Sequence, residues 1–321
     1  MTGNNFHTID LVPAASDFMG DVIRGLSSQP KSLSPKYCYD AVGSGFFDEI
    51  AALDEYYLTR TELAIVDSLA SIRLDAKEGL AVIELGGASS FKFRRLMSHL
   101  EDLRMYVPVD ISRDVLFASA AQLASDFPQL KVTALCADYQ QLATFPWNDH
   151  LGKQRRMVFF PGSTLGNLAP GDAELLLRMC RTVTGDQGTM LLGCDLLKDL
   201  KIILPAYDDS KGANARFNLN VLTRINQELG GDFDLAAFRH QVRFNQDKGQ
   251  IEIHLVTTKE QLVHIGGQTF HFAAGEGIFA ETSRKFVRAD LEAMAKASGF
   301  AVQEWWTDAQ GGFALVLLRA I

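Results

Sequence analysis

The chain has 321 residues and 47% hydrophobic content, enough for one large domain or two smaller ones with an ordinary soluble core. Its net charge of -8 comes from charges scattered along the chain with no Lys/Arg block, which argues against nucleic acid as a partner and favours small-molecule chemistry. No apolar run approaches the roughly 20 residues of a bilayer span, and the start, MTGNNFHTIDLVP, lacks the regions of a signal peptide, so a cytoplasmic protein without a membrane partner is expected. The cysteines Cys38, Cys136, Cys180 and Cys194 form no CxxC pair and the histidines no HxxxH or HxH pattern. No metal site is expected, and the thiols read as small buried hydrophobes.

In chain order, the first 60 residues contain no alternation of strand and helix. Residues 80–87 (LAVIELGG) then read as a strand running into glycines, and 105–112 (MYVPVDIS) and 131–138 (KVTALCAD) as strands ending on acids. Residues 155–168 and 188–196 supply a fourth and fifth. Between them, 112–127 and 170–183 carry helical periodicity, the second with Pro and acids in its first turn. This alternation is the signature of an α/β fold with a parallel sheet. After Asp195 it breaks: a helix-rich stretch covers about 197–240, and 249–272 reads as an antiparallel pair with a Gly-Gly turn. A helix over 288–298 and a terminal hairpin complete the chain. Residues 61–196 plus 287–321 are therefore expected to form the core, and residues 1–60 plus 197–286 a second, discontinuous domain.

Ligands of open α/β sheets bind at the carboxyl ends of the strands, beside the first glycine-rich turn. Here that turn is Glu84-Leu85-Gly86-Gly87-Ala88-Ser89-Ser90, and it does not satisfy the dinucleotide fingerprint GxGxxG. It resembles instead the E/D-x-G-x-G region of class I S-adenosylmethionine-dependent methyltransferases, with Ala88 in place of the second glycine. Asp110 can accept hydrogen bonds from a ribose diol, and Asp138 the adenine amino proton with Tyr139 beside the ring. Lys92, at the start of the next helix, can bind a carboxylate.

One further stretch, GIFAETSRKF over 277–286, reads as a strand in which Glu281 and Ser283 share a face, a charged acceptor beside a neutral donor/acceptor. Together with PKSLSPKYCYDAVGSGFFDEI (30–50), EYYLTRTE (55–62), FFPGSTLGNLAP (159–170), GCDLLKD (193–199), AYDD (206–209), FNLNVLTRIN (217–226) and WWTD (305–308), it carries a likeness to a known family. The chain resembles the S-adenosylmethionine-dependent L-histidine Nα-methyltransferases of ergothioneine biosynthesis, from about residue 15 to the end. The resemblance implies a Rossmann-like class I methyltransferase core with an α+β substrate-binding domain, S-adenosylmethionine as methyl donor, and a monomer acting on free L-histidine. It places cofactor contacts on Gly86, Lys92, Asp110, Asp138 and Tyr139. Histidine contacts fall on Tyr56, Asn167, Tyr207, Glu281 and Ser283, with Thr282 between the last two. The chain departs from the family at Ala88, at Tyr139 where Phe is familiar, and at Ile253 where a methionine lines the pocket.

Methyl transfer from a sulfonium to an amine is an in-line displacement, so positioning does most of the work and no strong base is required. The proton acceptor for the amine stands open among Asn167, Tyr207 and Tyr39 with water. Three readings follow: three-fold Nα-methylation of histidine to hercynine, N-methylation of another aromatic amino acid such as a tryptophan-derived intermediate, or a non-catalytic cofactor-binding protein. Two polar partners for one ring favour the first, because an indole has one N–H and no use for two polar partners.

Overall fold

The computed structural model describes residues 5–11, 17–72, 74 and 76–321, so part of the chain start read above for a signal peptide lies outside the described residues. The chain divides into two units. One holds the strand β1 (Phe6–Asp10), Arg60–Leu196 and Phe286–Ile321; the other holds residues 17–59 and Leu197–Lys285.

The first unit is an eight-stranded sheet. After β1 come β2 (Leu80–Leu85), β3 (Leu103–Asp110), β4 (Lys131–Cys136), β5 (Arg155–Phe160) and β6 (Thr189–Asp195), with β12 (Phe300–Thr307) and β13 (Phe313–Ala320) at the end of the chain. Their order is β1-β4-β3-β2-β5-β6-β13-β12. The first six pair in parallel, and β13 runs antiparallel to both β6 and β12. Strands buried on both faces must be apolar throughout, and β2 and β6 are buried at every position. Ile83, Val107, Val158, Leu192 and Val316 meet in one core, covered by helices such as Pro170–Thr184. All four cysteines are buried and free.

The order in which strands are added reverses beside β2, with β3 and β4 on one side and β5 and β6 on the other. This is the switch point at which open α/β sheets bind ligands. The structure moves one expected boundary: β1 pairs in parallel with β4, Phe6 opposite Val132 and Asp10 opposite Cys136, so the start of the chain belongs to the sheet and not with the insertion. A lone five-residue edge strand is too short for a periodicity argument to detect.

The second unit contains a three-stranded antiparallel sheet, β11 (Gly277–Arg284), β8 (Gln250–Thr257) and β7 (Phe238–Asn245), and a hairpin of β9 (Gln261–Ile265) and β10 (Gln268–Phe272). The hairpin turns at Gly266 and Gly267, both at positive φ as the Gly-Gly reading requires. The expected pairing across 249–272 is corrected in part: β8 joins β7 and β11, not the hairpin, and β7 begins inside the stretch read as helix-rich. Helices Ala41–Ala51 and Ala213–Leu229 pack together, tied by Asn220 donating to Asp40 at 2.8 Å. Residues 31–33 run beside β11, with Phe279 N–H donating to Lys31 and Leu33 N–H to Phe279, each at 2.9 Å.

Candidate functional site

In the first unit, β2 delivers the chain into Gly86 and Gly87, whose N–H groups donate to the Val109 carbonyl at 2.9 and 3.1 Å. Gly86 has a φ of 76°, where side chains are strained, and a Cβ on Gly87 would stand 2.8 Å from Pro108. The turn is thus held tightly against the end of β3, with Gly87 packed on Pro108. Asp110 ends β3 and is braced by the Ser112 N–H at 2.8 Å from its carboxylate. Asp138 is exposed just past β4, and Tyr139 is partly buried, its ring edge-on to Phe160 at 6.2 Å. Burial, reinforced by the charges of Asp110 and Asp138, raises the Tyr139 phenol so that it stays neutral. The Gly86 backbone approaches the Tyr139 hydroxyl, since a Cβ there would lie 3.2 Å from it. The glycine turn, the two acids and the tyrosine therefore lie together at the switch point. They fit a nucleoside: a backbone cradle that a Cβ would fill, a carboxylate for a diol, and an aromatic face.

The second unit builds a different surface. Tyr207 ends the helix Leu200–Tyr207 and is stopped by Asp209, whose carboxylate caps the next helix through the N–H groups of Ala213 and Asn214 at 2.9 and 2.8 Å. Burial alone would raise the Asp209 carboxyl, but those N–H bonds outweigh it and hold it low. The Tyr207 hydroxyl lies 2.8 Å from Ser283 Oγ. Lys285 Nζ donates to both, at 2.6 Å to Tyr207 and 2.8 Å to Ser283. Ser283 and Lys285 are each only 3% exposed. Glu281, Ser283 and Lys285 alternate along one face of β11 and its continuation, as period two dictates. Burial pushes the Glu281 carboxyl up to about 7, against the lowering pull of Lys285.

Thr282 faces the other way and donates to the Ile251 carbonyl at 3.2 Å, so the structure does not bring it together with its neighbours. A β-bulge falls between Phe279 and Glu281, and Ile253, fully buried, pairs across from Glu281. Tyr56 joins the surface edge-on to Tyr207 at 6.5 Å. Tyr39 packs on Phe217 at 5.0 Å and Phe47 at 5.7 Å, and Phe47 packs in turn on Tyr56 at 6.2 Å.

The model of the family described as histidine-specific, SAM-dependent methyltransferase matches residues 18–320. A histidine N-alpha-methyltransferase of Mycolicibacterium smegmatis is 40% identical over 315 residues, 95% of either chain. That of Mycobacterium tuberculosis is 39% identical over 303 residues, 92% of this chain and 93% of the other. The chain belongs to this family of histidine-specific methyltransferases. An ergothioneine biosynthesis protein 1 of Neurospora crassa is 25% identical over 288 residues, 87% of this chain and 32% of that one.

In this methyltransferase three further features of the first unit were not visible in the residue pattern. Glu62 is buried and accepts from the Gly162 N–H with both oxygens, at 2.9 and 3.1 Å, and from Lys92 Nζ at 2.6 Å. Lys92 is thereby held by an internal carboxylate at the mouth of the helix Phe91–Leu96. Gly193 leaves the room that Glu62 needs, for a Cβ there would come within 2.1 Å of its carboxylate. Next to Gly162, Ser163 adopts a φ of 61°, a conformation side chains rarely take, and its Oγ accepts from the Asp195 N–H at 2.9 Å. This strained turn leads directly into the 3-10 turn Thr164–Asn167, which carries Asn167. Glu84 is also buried, bonded to the Tyr106 hydroxyl, and desolvation raises its carboxyl to about 8. The clues to Glu62 were its place in EYYLTRTE and the glycines around it, but an acid within a helix has no local mark of burial.

Proposed function

We propose that this methyltransferase uses S-adenosylmethionine to methylate the α-amine of L-histidine three times in succession, releasing hercynine as the first step of ergothioneine synthesis in the cytoplasm. The observation that carries the substrate reading is the polar wall of β11: Glu281 and Ser283 on one face, with Tyr207 bonded to Ser283. An imidazole needs an acceptor for its N–H and a donor for its second nitrogen, and this wall supplies both.

When bound, S-adenosylmethionine supplies an electrophilic methyl group on a sulfonium centre. Gly86 and Gly87 leave space for its backbone approach, Asp110 accepts from the ribose hydroxyls, and Asp138 with Tyr139 holds the adenine. Lys92, already paired with Glu62, offers its remaining N–H groups to the methionine carboxylate. For the amino-acid end, the neutral groups on offer are Tyr56 and Tyr207 in the second unit and Asn167 in the first. A neutral surround suits an amine that must be deprotonated before each transfer and that gains a permanent positive charge only after the third. The proton leaves through Tyr207, Asn167 or Tyr39 to water.

Incubation of the purified protein with S-adenosylmethionine and a panel of free amino acids, read by mass spectrometry, tests the assignment. Trimethylhistidine methylated on the amine is the expected product. Preferential turnover of tryptophan, or methylation of a ring nitrogen, would overturn it.

A further inference from the structure

Glu62, on the helix Tyr57–Ser68, is an acid with only 1% of its surface exposed, and its partners come from two other elements of the first unit. Lys92 Nζ, 30 residues along the chain, donates to one oxygen at 2.6 Å. The Gly162 N–H, 100 residues along, donates to both oxygens at 2.9 and 3.1 Å. An ammonium and a backbone N–H can only donate, so the direction of each bond is fixed. The two partners also meet each other: a Cβ on Gly162, which has a φ of 82°, would stand 3.1 Å from Lys92 Nζ.

A buried ion pair is a poor source of stability, because apolar side chains of the same volume often serve as well or better. What a carboxylate adds is direction. The pair is also lopsided: the Glu62 side chain is 1% exposed and that of Lys92 21%, so the ammonium keeps an open side while the carboxylate faces inward. On the other arm, Gly162 enters a turn pinned by three further bonds. Ser163 Oγ accepts from the Asp195 N–H at 2.9 Å, Thr164 Oγ1 donates to the Pro161 carbonyl at 3.1 Å, and the Gly166 N–H donates to the Ser163 carbonyl at 2.9 Å. That turn ends on Asn167.

We propose that Glu62 is a positioning residue with two outputs: it aims the Lys92 ammonium at the carboxylate of the methyl donor, and it sets the turn that presents Asn167 to the amino-acid end of histidine. The inference rests on the readings of Lys92 and Asn167 as ligand contacts, and it goes beyond them by naming the one residue that holds both in place. Position and charge predict opposite outcomes here. As a mere neighbouring anion Glu62 competes for the ammonium, and its removal would tighten the grip on a ligand carboxylate. As a positioning residue it restrains a flexible four-carbon stem, and its removal weakens that grip.

Calorimetric titration of the full chain separates the two, with S-adenosylhomocysteine and with 5′-methylthioadenosine, which keeps the nucleoside and the sulfur but lacks the amino-acid end. Glu62→Gln should raise the S-adenosylhomocysteine dissociation constant about tenfold and leave that of 5′-methylthioadenosine within about twofold. In a Lys92→Met background the same change should cost S-adenosylhomocysteine much less, because the residue through which Glu62 acts has gone. On the other arm, Glu62→Gln should weaken histidine more than histamine, which lacks the carboxylate. Glu62→Asp keeps the charge but is one methylene shorter and cannot span both partners, so an intermediate loss is expected. It carries the test if the glutamine variant fails to fold. Equal losses on ligands with and without a carboxylate, wild-type discrimination in both Glu62 variants, tighter S-adenosylhomocysteine binding in Glu62→Gln, or full additivity with Lys92→Met would make Glu62 a structural ion pair only. If Lys92→Met and Asn167→Ala by themselves keep the wild-type discrimination, it is the ligand-contact readings that fail.

Discussion

On the proposed assignment, the cofactor end of the first unit and the polar wall of the second recognise their ligands by opposite means. At the switch point the work falls to backbone and to strand ends: two glycines at the end of β2, Asp110 closing β3, and Asp138 exposed after β4. Along β11 it falls to side chains taken out of water, Ser283, Lys285 and Tyr207, joined across 76 and 78 residues of sequence. A site made of backbone and solvated acids suits a charged, flexible nucleoside that brings its own polarity. One made of desolvated, mutually bonded side chains suits a small ring whose only distinguishing feature is the arrangement of two nitrogens, because in a dry site each mismatched group is expensive.

Glu62 is where the first unit departs from this contrast, and there the largest effect is expected. It is a buried carboxylate paired with Lys92 and with the Gly162 N–H. Glu62→Ala leaves an ammonium and a backbone donor without their partner, a loss of about 3 kcal/mol or more. Thermal melts should show the midpoint falling by roughly 6 °C or more. A midpoint within 1 °C of wild type, on the order of 0.5 kcal/mol, would mean that solvent replaces the pair and that Glu62 does not anchor the first unit.

Asp110→Ala comes next and should separate the two regions. Loss of charge-assisted bonds to a diol corresponds to roughly 1.5–3 kcal/mol, so the S-adenosylmethionine dissociation constant should rise about tenfold to a hundredfold in calorimetric titration. The stability of the fold should change little, since Asp110 sits at a strand end. An unchanged dissociation constant in a folded variant would remove the second strand's acid from the cofactor site.

How far these regions could be read from the sequence follows from the same contrast. The end of β2, the acids of β3 and β4 and the helices between them are local signals, and each element lies within a few residues of its expected place. Glu281 and Ser283 were also legible as a same-face pair, because period two is local. Their surroundings were not. That Tyr207 meets Ser283, that Thr282 turns away to Ile251, and that Lys285 is buried depend on how a helix end and a strand from distant parts of the chain pack. The edge strand β1 and the strand β7 escaped for a related reason. Both gain their identity from the strand they pair with, β4 and β8, more than from their own residues.

The wall itself gives the third contrast. Glu281→Ala removes a charged acceptor and should raise the histidine KM by about one to two orders of magnitude. Ser283→Ala removes a neutral partner worth about 1 kcal/mol and should raise it only severalfold. In both variants S-adenosylmethionine should bind as in wild type, the mirror image of Asp110→Ala. Wild-type kinetics in both would return the pair to ordinary strand polarity.

The smallest expected effect concerns the charge state of Glu281. Its carboxyl titrates at about 7 in the folded chain against an ordinary value of 4.5, because burial disfavours the anion more than Lys285 favours it. Below pH 4.5 the group is protonated in folded and unfolded chains alike, and Glu281 behaves as Gln would. Between the two values the folded chain keeps a proton that the unfolded chain has lost, so stability falls as pH rises, and above 7 the loss is complete. The melting midpoint of wild type relative to Glu281→Gln should therefore drift downward between about pH 5 and pH 7.5. Saturating histidine should reduce that drift, since a ring N–H bonded to the carboxylate stabilises the anion and lowers its pKa in the complex. A midpoint difference that stays flat across this range would show that Glu281 is solvated and already ionised at low pH. A drift that histidine leaves untouched would show that the group is desolvated without meeting the ring. Only the two responses together join the burial of Glu281 to its role in reading imidazole.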